Sequence, residues 1–355
     1  MPSGTAGPTP HPDRRVHTRH PLPAPPPSAP PSIDDLATTF GLDPVGAEVV
    51  RAASRHVVRF PASAVRTFAV PAGTRAPRDE AAVAALLADA GVPAARRLAG
   101  PAPIDGWSVT AWREIAGAEG AAPVDAATVG ALAARLHRAT GALDRRGLVA
   151  CDPVGAALAQ LDAAAHHGAT DADDMDVLRG EATRLEPAWQ GAVDRARPEA
   201  DAGSGEGAAK PPPCWAVGPH QGGSLRCCDS IVPVAPGAVL HGDLHPGNVV
   251  AGRDGPVLVD LELAGWGPRA FDAAPTAAMI RWYGRPETDG TAFDVAYGAP
   301  LTAAARQGRL DEVWRLWSTC WAVANRHRSP TDEDEAVVRV ATIRDGAATR
   351  PWRLR

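Results

Sequence analysis

The sequence predicts an α+β fold of two unequal parts: a small antiparallel sheet carrying one helix, then a larger and mainly helical portion. Three observations lead there. The first third alternates short β-branched runs with one strongly periodic helix. From residue 126 onward helical periodicity dominates. Within that helical stretch sits a Gly/Pro loop flanked on both sides by short apolar runs.

Taken in order, residues 1–31 are rich in proline and poor in large apolar side chains, so they are expected to form a disordered tail. Ser32 reads as a helix N-cap, with Asp34 and Asp35 in the first turn and a stop near Gly41. His56–Phe60 reads as a strand, Pro61–Ser63 as a turn and residues 65–70 as the returning strand. A helix follows over residues 78–87, with Val83, Leu86 and Leu87 apolar and Gly91 as its stop. Residues 107–112 alternate like a strand. Residues 126–138 form a helix with Val129, Leu132, Ala133 and Leu136 on one face. Two more helices are expected over 154–165 and 174–195.

Residues 197–233 break the pattern: they hold many Gly, Pro and Ser residues, Lys210 and three cysteines. That is too long for an ordinary connection, and it reads as a flexible insertion. Helical periodicity then runs from 272 to about 340. Trp314, Trp317 and Trp321 recur there at helical spacing and read as core. The expected units are a small lobe over 32–115 and a helical lobe over 116–345 containing the insertion.

Composition limits the function. A formal net charge of -5 gives no electrostatic reason to expect a nucleic-acid partner. No apolar run reaches the length of a membrane span, and residues 1–31 have no apolar signal core. The five cysteines are odd in number and irregular in spacing, which argues against a disulfide framework. A cytoplasmic location is the expectation. Cys214, His220, Cys227 and Cys228 match no structural-zinc spacing and read as unselected residues of a loose insertion.

The chemistry is concentrated in residues 239–250 and 257–262. The first reads Val-Leu-His-Gly-Asp-Leu-His-Pro-Gly-Asn-Val-Val, the second Val-Leu-Val-Asp-Leu-Glu. Asp243 and Asn248 stand in a loop tightened by Pro246 and Gly247. Asp260 ends an apolar run, where a carboxylate is costly without a partner. Two carboxylates and an amide oxygen brought together suit magnesium. Phosphoryl transfer needs alignment of a hydroxyl, neutralisation of phosphate charge and a proton acceptor. An Asp followed five positions later by an Asn, with a further Asp downstream, is the spacing protein kinases use for this.

The run from His241 to Asn248 resembles the signature of the aminoglycoside phosphotransferase family, a small-molecule branch of the protein-kinase-like fold. So do residues 260–272, from Asp260-Leu261-Glu262 to Phe271-Asp272, the helix bearing Asp79-Glu80 and the helix ending in Leu136-His137. The similarity runs in order from about residue 33 to 325, the insertion excluded. It implies a two-lobed protein-kinase-like fold with Mg²⁺ as cofactor and ATP or GTP as co-substrate. It also implies a small-molecule hydroxyl acceptor. By the same resemblance Asp243 orients and deprotonates the acceptor, and Asn248 and Asp260 hold the metal. Glu80 pairs with a strand cation that grips the phosphates. Trp112, Arg113, Glu114 and Ile115 form the interlobe hinge whose backbone meets the nucleobase. His241 braces the loop, His245 does the same, and Asp272 supports the loop from the next helix. Glu262 either touches metal or substrate or faces water.

The match breaks at the strand cation. Lys210 is the only lysine in the chain, so the position is not lysine. Phe68 falls at the expected place, and Arg66, on the same strand face, either substitutes as a phosphate clamp or is a solvated strand residue. Arg59 is the fallback. Between the first two strands there is no glycine-rich loop, only residues 60–64. Glu287, Asp289, Asp294, Asp311, Glu312 and the run 332–335 are compatible with an amine-bearing acceptor such as an aminoglycoside-like antibiotic without selecting one. The alternative function is a catalytically silent kinase-like protein that binds nucleotide or a partner. A protein kinase ranks below both, because the 241–248 wording resembles the small-molecule branch.

Overall fold

The computed structural model describes residues 29–52, 56–71, 76–118, 122–141, 148–166, 168, 170–197 and 237–353. The expected tail up to residue 28 and nearly all of the expected insertion, with its Cys/His group, lie outside the described residues.

Ser32 caps α1 (Ile33–Phe40) as its residue type predicts. Its hydroxyl accepts from Asp35 N, while Asp35 accepts from Ser32 N, a reciprocal box that satisfies two end donors at once. The helix stops at Gly41 in the left-handed conformation. Five strands follow: β1 (Glu48–Ala52), β2 (His56–Phe60), β3 (Val65–Pro71), β4 (Arg97–Ile104) and β5 (Trp107–Arg113). They form one antiparallel sheet in the order β1-β2-β3-β5-β4.

The two strands that the sequence does not announce, β1 and β4, are the two edges. β4 contains Gly100, Pro101 and Pro103, and its register breaks twice against β5. Proline lacks the N–H that a central strand needs, and an edge tolerates it. One sheet face packs Val58, Phe60, Val65, Ala69, Val109 and Ala111 against Leu36 of α1. The opposite face sends Phe68 and Trp112 into a larger core with Val83, Ala84 and Leu87 of α2 (Ala76–Asp89).

The remaining chain is helical as its periodicity predicts. It comprises α3 (Ala126–Thr140), α4 (Pro153–His166), α5 (Ala172–Ala196), α6 (Ala274–Trp282), α7 (Glu287–Tyr297), α8 (Leu301–Gln307), α9 (Leu310–Ala324) and α10 (Pro330–Asp345). The apolar runs around the Gly/Pro loop become two short ribbons. β6 (Ala238–Leu240) pairs with β9 (Gly265–Gly267), and β7 (Val249–Gly252) pairs with β8 (Gly255–Leu258). The architecture is the two-lobed, protein-kinase-like α+β fold that the resemblance implies.

Hydrogen bonds tie the segment between α2 and β4 to the later part of the chain. Leu258 N donates to Pro93 O and Ala95 N to Leu258 O, at 2.8 and 2.7 Å. Arg135 of α3 donates to Gly91 O at 2.7 Å. The segment after α2 is therefore pinned to the ribbon that leads to Asp260. Elsewhere α3 and α7 touch backbone to backbone: a Cβ at Gly130 would lie 2.3 Å from Phe293 O. That approach brings the end of α7 over the end of α3, where His137 stands.

Candidate active site

The loop after β6 is held by one buried carboxylate. Asp272, 0% exposed, accepts from Gly242 N through Oδ1 at 2.8 Å and from His241 N through Oδ2 at 3.0 Å. The same Oδ2 meets His137 Nε2 at 2.9 Å, and His137 Nδ1 meets the Tyr297 hydroxyl at 3.0 Å. A carboxylate that takes up several buried N–H groups fixes their positions, because each would otherwise be left unsatisfied. Gly242 must be glycine for this: its φ is +83°, and a Cβ there would lie 2.6 Å from Leu263 O. Asp272 thus stands where the resemblance puts a loop support, and His241 links outward, its Nε2 meeting Val259 O at 2.8 Å.

That last contact ties the loop to the residue before Asp260, and Val259 N in turn donates to Asn248 O at 3.0 Å. Asp243, Asn248 and Asp260 are therefore joined through one imidazole–backbone link and one backbone–backbone link although 17 positions separate the first from the last. Asp260 itself has φ +62°, a left-handed backbone uncommon for a residue with a Cβ. Such outliers gather at functional sites because only a well-held surround sustains them.

Asp243 is 8% exposed and both its carboxylate oxygens are engaged. The Trp314 indole N–H donates to Oδ1 at 2.7 Å, and the Asn248 amide N–H donates to Oδ2 at 2.9 Å. Asn248 donates as well to Asp243 O at 2.9 Å. With its nitrogen turned to Asp243, its amide oxygen faces the other way. His245 Nε2 lies 3.6 Å from Asp243 Oδ2. Burial opposes ionisation of Asp243, but the neighbouring His245, the Trp314 bond and His241 hold its carboxyl below the usual carboxylate range. Burial acts equally against charge on His245, yet Asp243 and then Asp260 carry it above the usual imidazole value.

The metal-site expectation fits the donor set. Among the described residues no three His, Cys, Asp or Glu side chains gather into a cation site of their own. A magnesium site made of one carboxylate, one amide oxygen and phosphate oxygens needs no such trio, since this ion keeps waters and shares its ligands with substrate phosphates. Asn248 and Asp260 are the oxygen donors that could form the protein part of such a set.

The small-lobe candidates are arranged differently from the expected Arg66–Glu80 pair. Arg66 donates through Nε and Nη2 to Glu114, at 3.2 and 3.1 Å, and Arg59 Nε lies 2.7 Å from the same carboxylate oxygen. Glu80 accepts from Leu261 N at 3.2 Å, so α2 reaches the segment after Asp260 directly. Phe68 packs edge-on against Trp112 at 6.4 Å. Trp112 and Arg113 are the last residues of β5, and Glu114 and Ile115 leave the sheet after them. The Glu114 amide donates to Ala64 O at 2.8 Å, which fastens this segment to the turn after β2.

The carboxylates offered as an amine-binding surface are paired inside the chain. Glu287 bonds Arg306, Asp289 bonds Arg285, and Asp294 accepts from Thr302. Asp311 meets Arg281, Glu312 takes Arg184 and Arg309, Glu333 takes Arg326, and Glu335 takes Arg339 and Arg350. Trp314, His137 and Tyr297 are the site residues that sequence reasoning passes over or sees only in part. Helical spacing marks Trp314 as core, and at 2% exposure it is core. Its indole N–H nonetheless ends on Asp243, a contact between residues 71 positions apart.

The family model described as the phosphotransferase enzyme family matches residues 49–309. A methylthioribose kinase of Enterobacter sp. (strain 638) is 31% identical over 84 residues, which is 23% of this chain and 19% of that protein. The matched stretch thus spans about a fifth of that relative's length. In three dimensions the chain resembles an amicoumacin kinase solved with AMP-PNP, Ca²⁺ and Ami (TM-score 0.56, 12% identity, 90% of this chain and 94% of that one). It also resembles a choline/ethanolamine kinase family protein from Mesorhizobium loti (TM-score 0.51, 18% identity, 88% and 93%). At such identities the likeness is one of fold. No helix among the described residues is long and apolar enough to cross a membrane.

Proposed function

The chain belongs to the phosphotransferase enzyme family, and from that premise we propose that it moves the terminal phosphoryl group of ATP or GTP to a hydroxyl of a small molecule. The observation that carries the reading is the state of Asp243. It is a buried carboxylate held at both oxygens, kept ionised, in a loop clamped by Asp272. Its task is to accept a hydrogen bond from the acceptor hydroxyl and aim the oxygen at phosphorus. A carboxylate held below its usual pKa is a weak base. The hydroxyl proton therefore passes to it late, once the new O–P bond has begun to form, which suits a loose phosphoryl-transfer transition state.

Asn248 through its amide oxygen and Asp260 through its carboxylate would hold magnesium. When bound, that ion neutralises charge on the phosphates and orients them. His241 keeps the two ligand-bearing segments in register. Glu80 holds the Leu261 amide beside Asp260, so the small lobe can steady the metal side of the site. The acceptor is assigned only as a hydroxylated small molecule. An aminoglycoside-like polycation has less support, because most of the carboxylates on α6 to α10 are already bonded to arginines.

Titration of MgATP and MgGTP by calorimetry tests the reading, with Asp260→Ala alongside and ADP release read against a panel of hydroxylated acceptors. Magnesium-dependent binding that the variant loses, with turnover on at least one acceptor, supports it. Absence of binding at millimolar nucleotide would overturn it. A second reading, a silent nucleotide- or partner-binding protein, is favoured by one observation: Arg66 is bonded to Glu114, and no lysine stands on the strands. Binding without turnover on any acceptor would support that reading.

A further inference from the structure

Four helices meet around an open cavity of about 400 Å³ that the phosphotransfer reading does not use. α5, the end of α6, α9 and the end of α10 contribute Arg184, Arg281, Arg315 and Arg344 to its lining. The carboxylates on the same wall are Glu181, Glu312 and Asp345. Glu181 takes both Arg184 and Arg315, and Glu312 takes Arg184 and Arg309 and lies 3.6 Å from Arg281 Nη1. Asp311 and Asp174, behind the wall, bond Arg281 and Arg344 through a single nitrogen each. A guanidinium carries five N–H donors and does not lose its charge, so several of these donors remain for a ligand.

Arg315 is the group that demands one. It is 6% exposed, its Nη2 is bonded to Glu181, and its Nε is buried with no hydrogen-bond partner. A buried donor of a charged group left in that state is costly. A second feature points the same way. The guanidinium carbons of Arg315 and Arg281 lie 4.9 and 4.7 Å from the ring centre of the same tryptophan, Trp282, which crowds two positive charges onto one ring. Burial also works against the charge on Arg315. An oxyanion with several acceptor oxygens would bridge neighbouring guanidiniums through the nitrogens that face the cavity and offset the crowding.

We propose that this cavity is an oxyanion site that takes a phosphate, sulfate or carboxylate group. The ligand's source can be a free anion or an anionic substituent of the acceptor. The site itself does not rest on the phosphotransfer reading.

The probe is inorganic phosphate, titrated calorimetrically into the full chain in EDTA at ionic strength held constant with chloride. Arg184→Gln and Arg344→Ala serve as variants, since those side chains are 44% and 47% exposed and the change is tolerable for folding. Circular dichroism checks each fold. The expected result is saturable millimolar binding by the wild type, weakened fivefold or more in each folded variant and retained in Asp260→Ala. No saturable binding, equal binding in Arg184→Gln and Arg344→Ala, or loss in Asp260→Ala would each overturn it, the last by assigning the phosphate to the nucleotide site. Given binding, phosphate that raises KM for an acceptor identifies the acceptor's own anionic group as the natural ligand. An unchanged KM identifies a free anion.

Discussion

His137 and Asp272 meet at 2.9 Å with side chains 1% and 0% exposed, and they join the end of α3 to the backbone of the loop that carries Asp243. Behind His137 stands Tyr297, so three helical or turn segments hold one loop through one carboxylate. Asp272→Ala would orphan three buried donors, His241 N, Gly242 N and His137 Nε2. At about 1 kcal/mol or more each, the loss of stability is expected to reach at least about 3 kcal/mol. Urea unfolding measures it, and kcat should fall with it as the loop loses its position.

Tyr297→Phe is the milder version. It removes one hydroxyl from the far side of His137 and keeps the ring, which stacks on Phe293. A loss of about 1 kcal/mol is expected, with kcat reduced less than tenfold. A neutral result in both measurements would separate Tyr297 from the loop support.

Trp314→Phe should alter the pH profile more than the fold. The indole N–H stabilises ionised Asp243, so its loss raises the carboxyl pKa, and the acid limb of kcat should move to higher pH. The stability linkage has the same sign. Asp243 is depressed when folded, so its contribution is fully present above the unfolded value of about 3.9 and is lost as pH falls through the lower folded value. The variant should lose that contribution at a higher pH than the wild type does.

Arg66→Ala separates a phosphate clamp from a hinge pin. In this structure Arg66 is bonded to Glu114, with the two side chains 35% and 13% exposed. A partly exposed pair contributes up to about 1 kcal/mol. Nucleotide affinity is expected to stay within about fivefold, by the same modest coupling. A tenfold loss on calorimetric titration would restore the phosphate role.

Cys151 and Cys320 are buried, and burial raises both thiols well above their ordinary value. The thiolate is the reactive form, so alkylation of the native protein at pH 8 should spare both. Peptide mass spectrometry before and after denaturation reads this. Labelling of either one in the native state would mean that the core opens.

The class of fold and the order of most elements were legible in the residues, as was the loop on which the candidate site is built. Local signals carried that much. Ser32 before Asp34-Asp35 is a cap in sequence and in structure, the helical periods of α3 to α5 need only their own neighbours, and the Asp243–Asn248 spacing lies within one loop. The edge strands β1 and β4 were illegible because proline, glycine and exposure hide a strand whose existence depends on a partner's hydrogen bonds. The long-range contacts of the candidate site were not legible in the sequence. Trp314 reaches Asp243 across 71 positions, Tyr297 reaches His137 across 160, and Arg66 reaches Glu114 rather than Glu80 across 48. A polar side chain's partner is set by packing in three dimensions, because any buried donor must find the nearest acceptor that the whole fold brings to it.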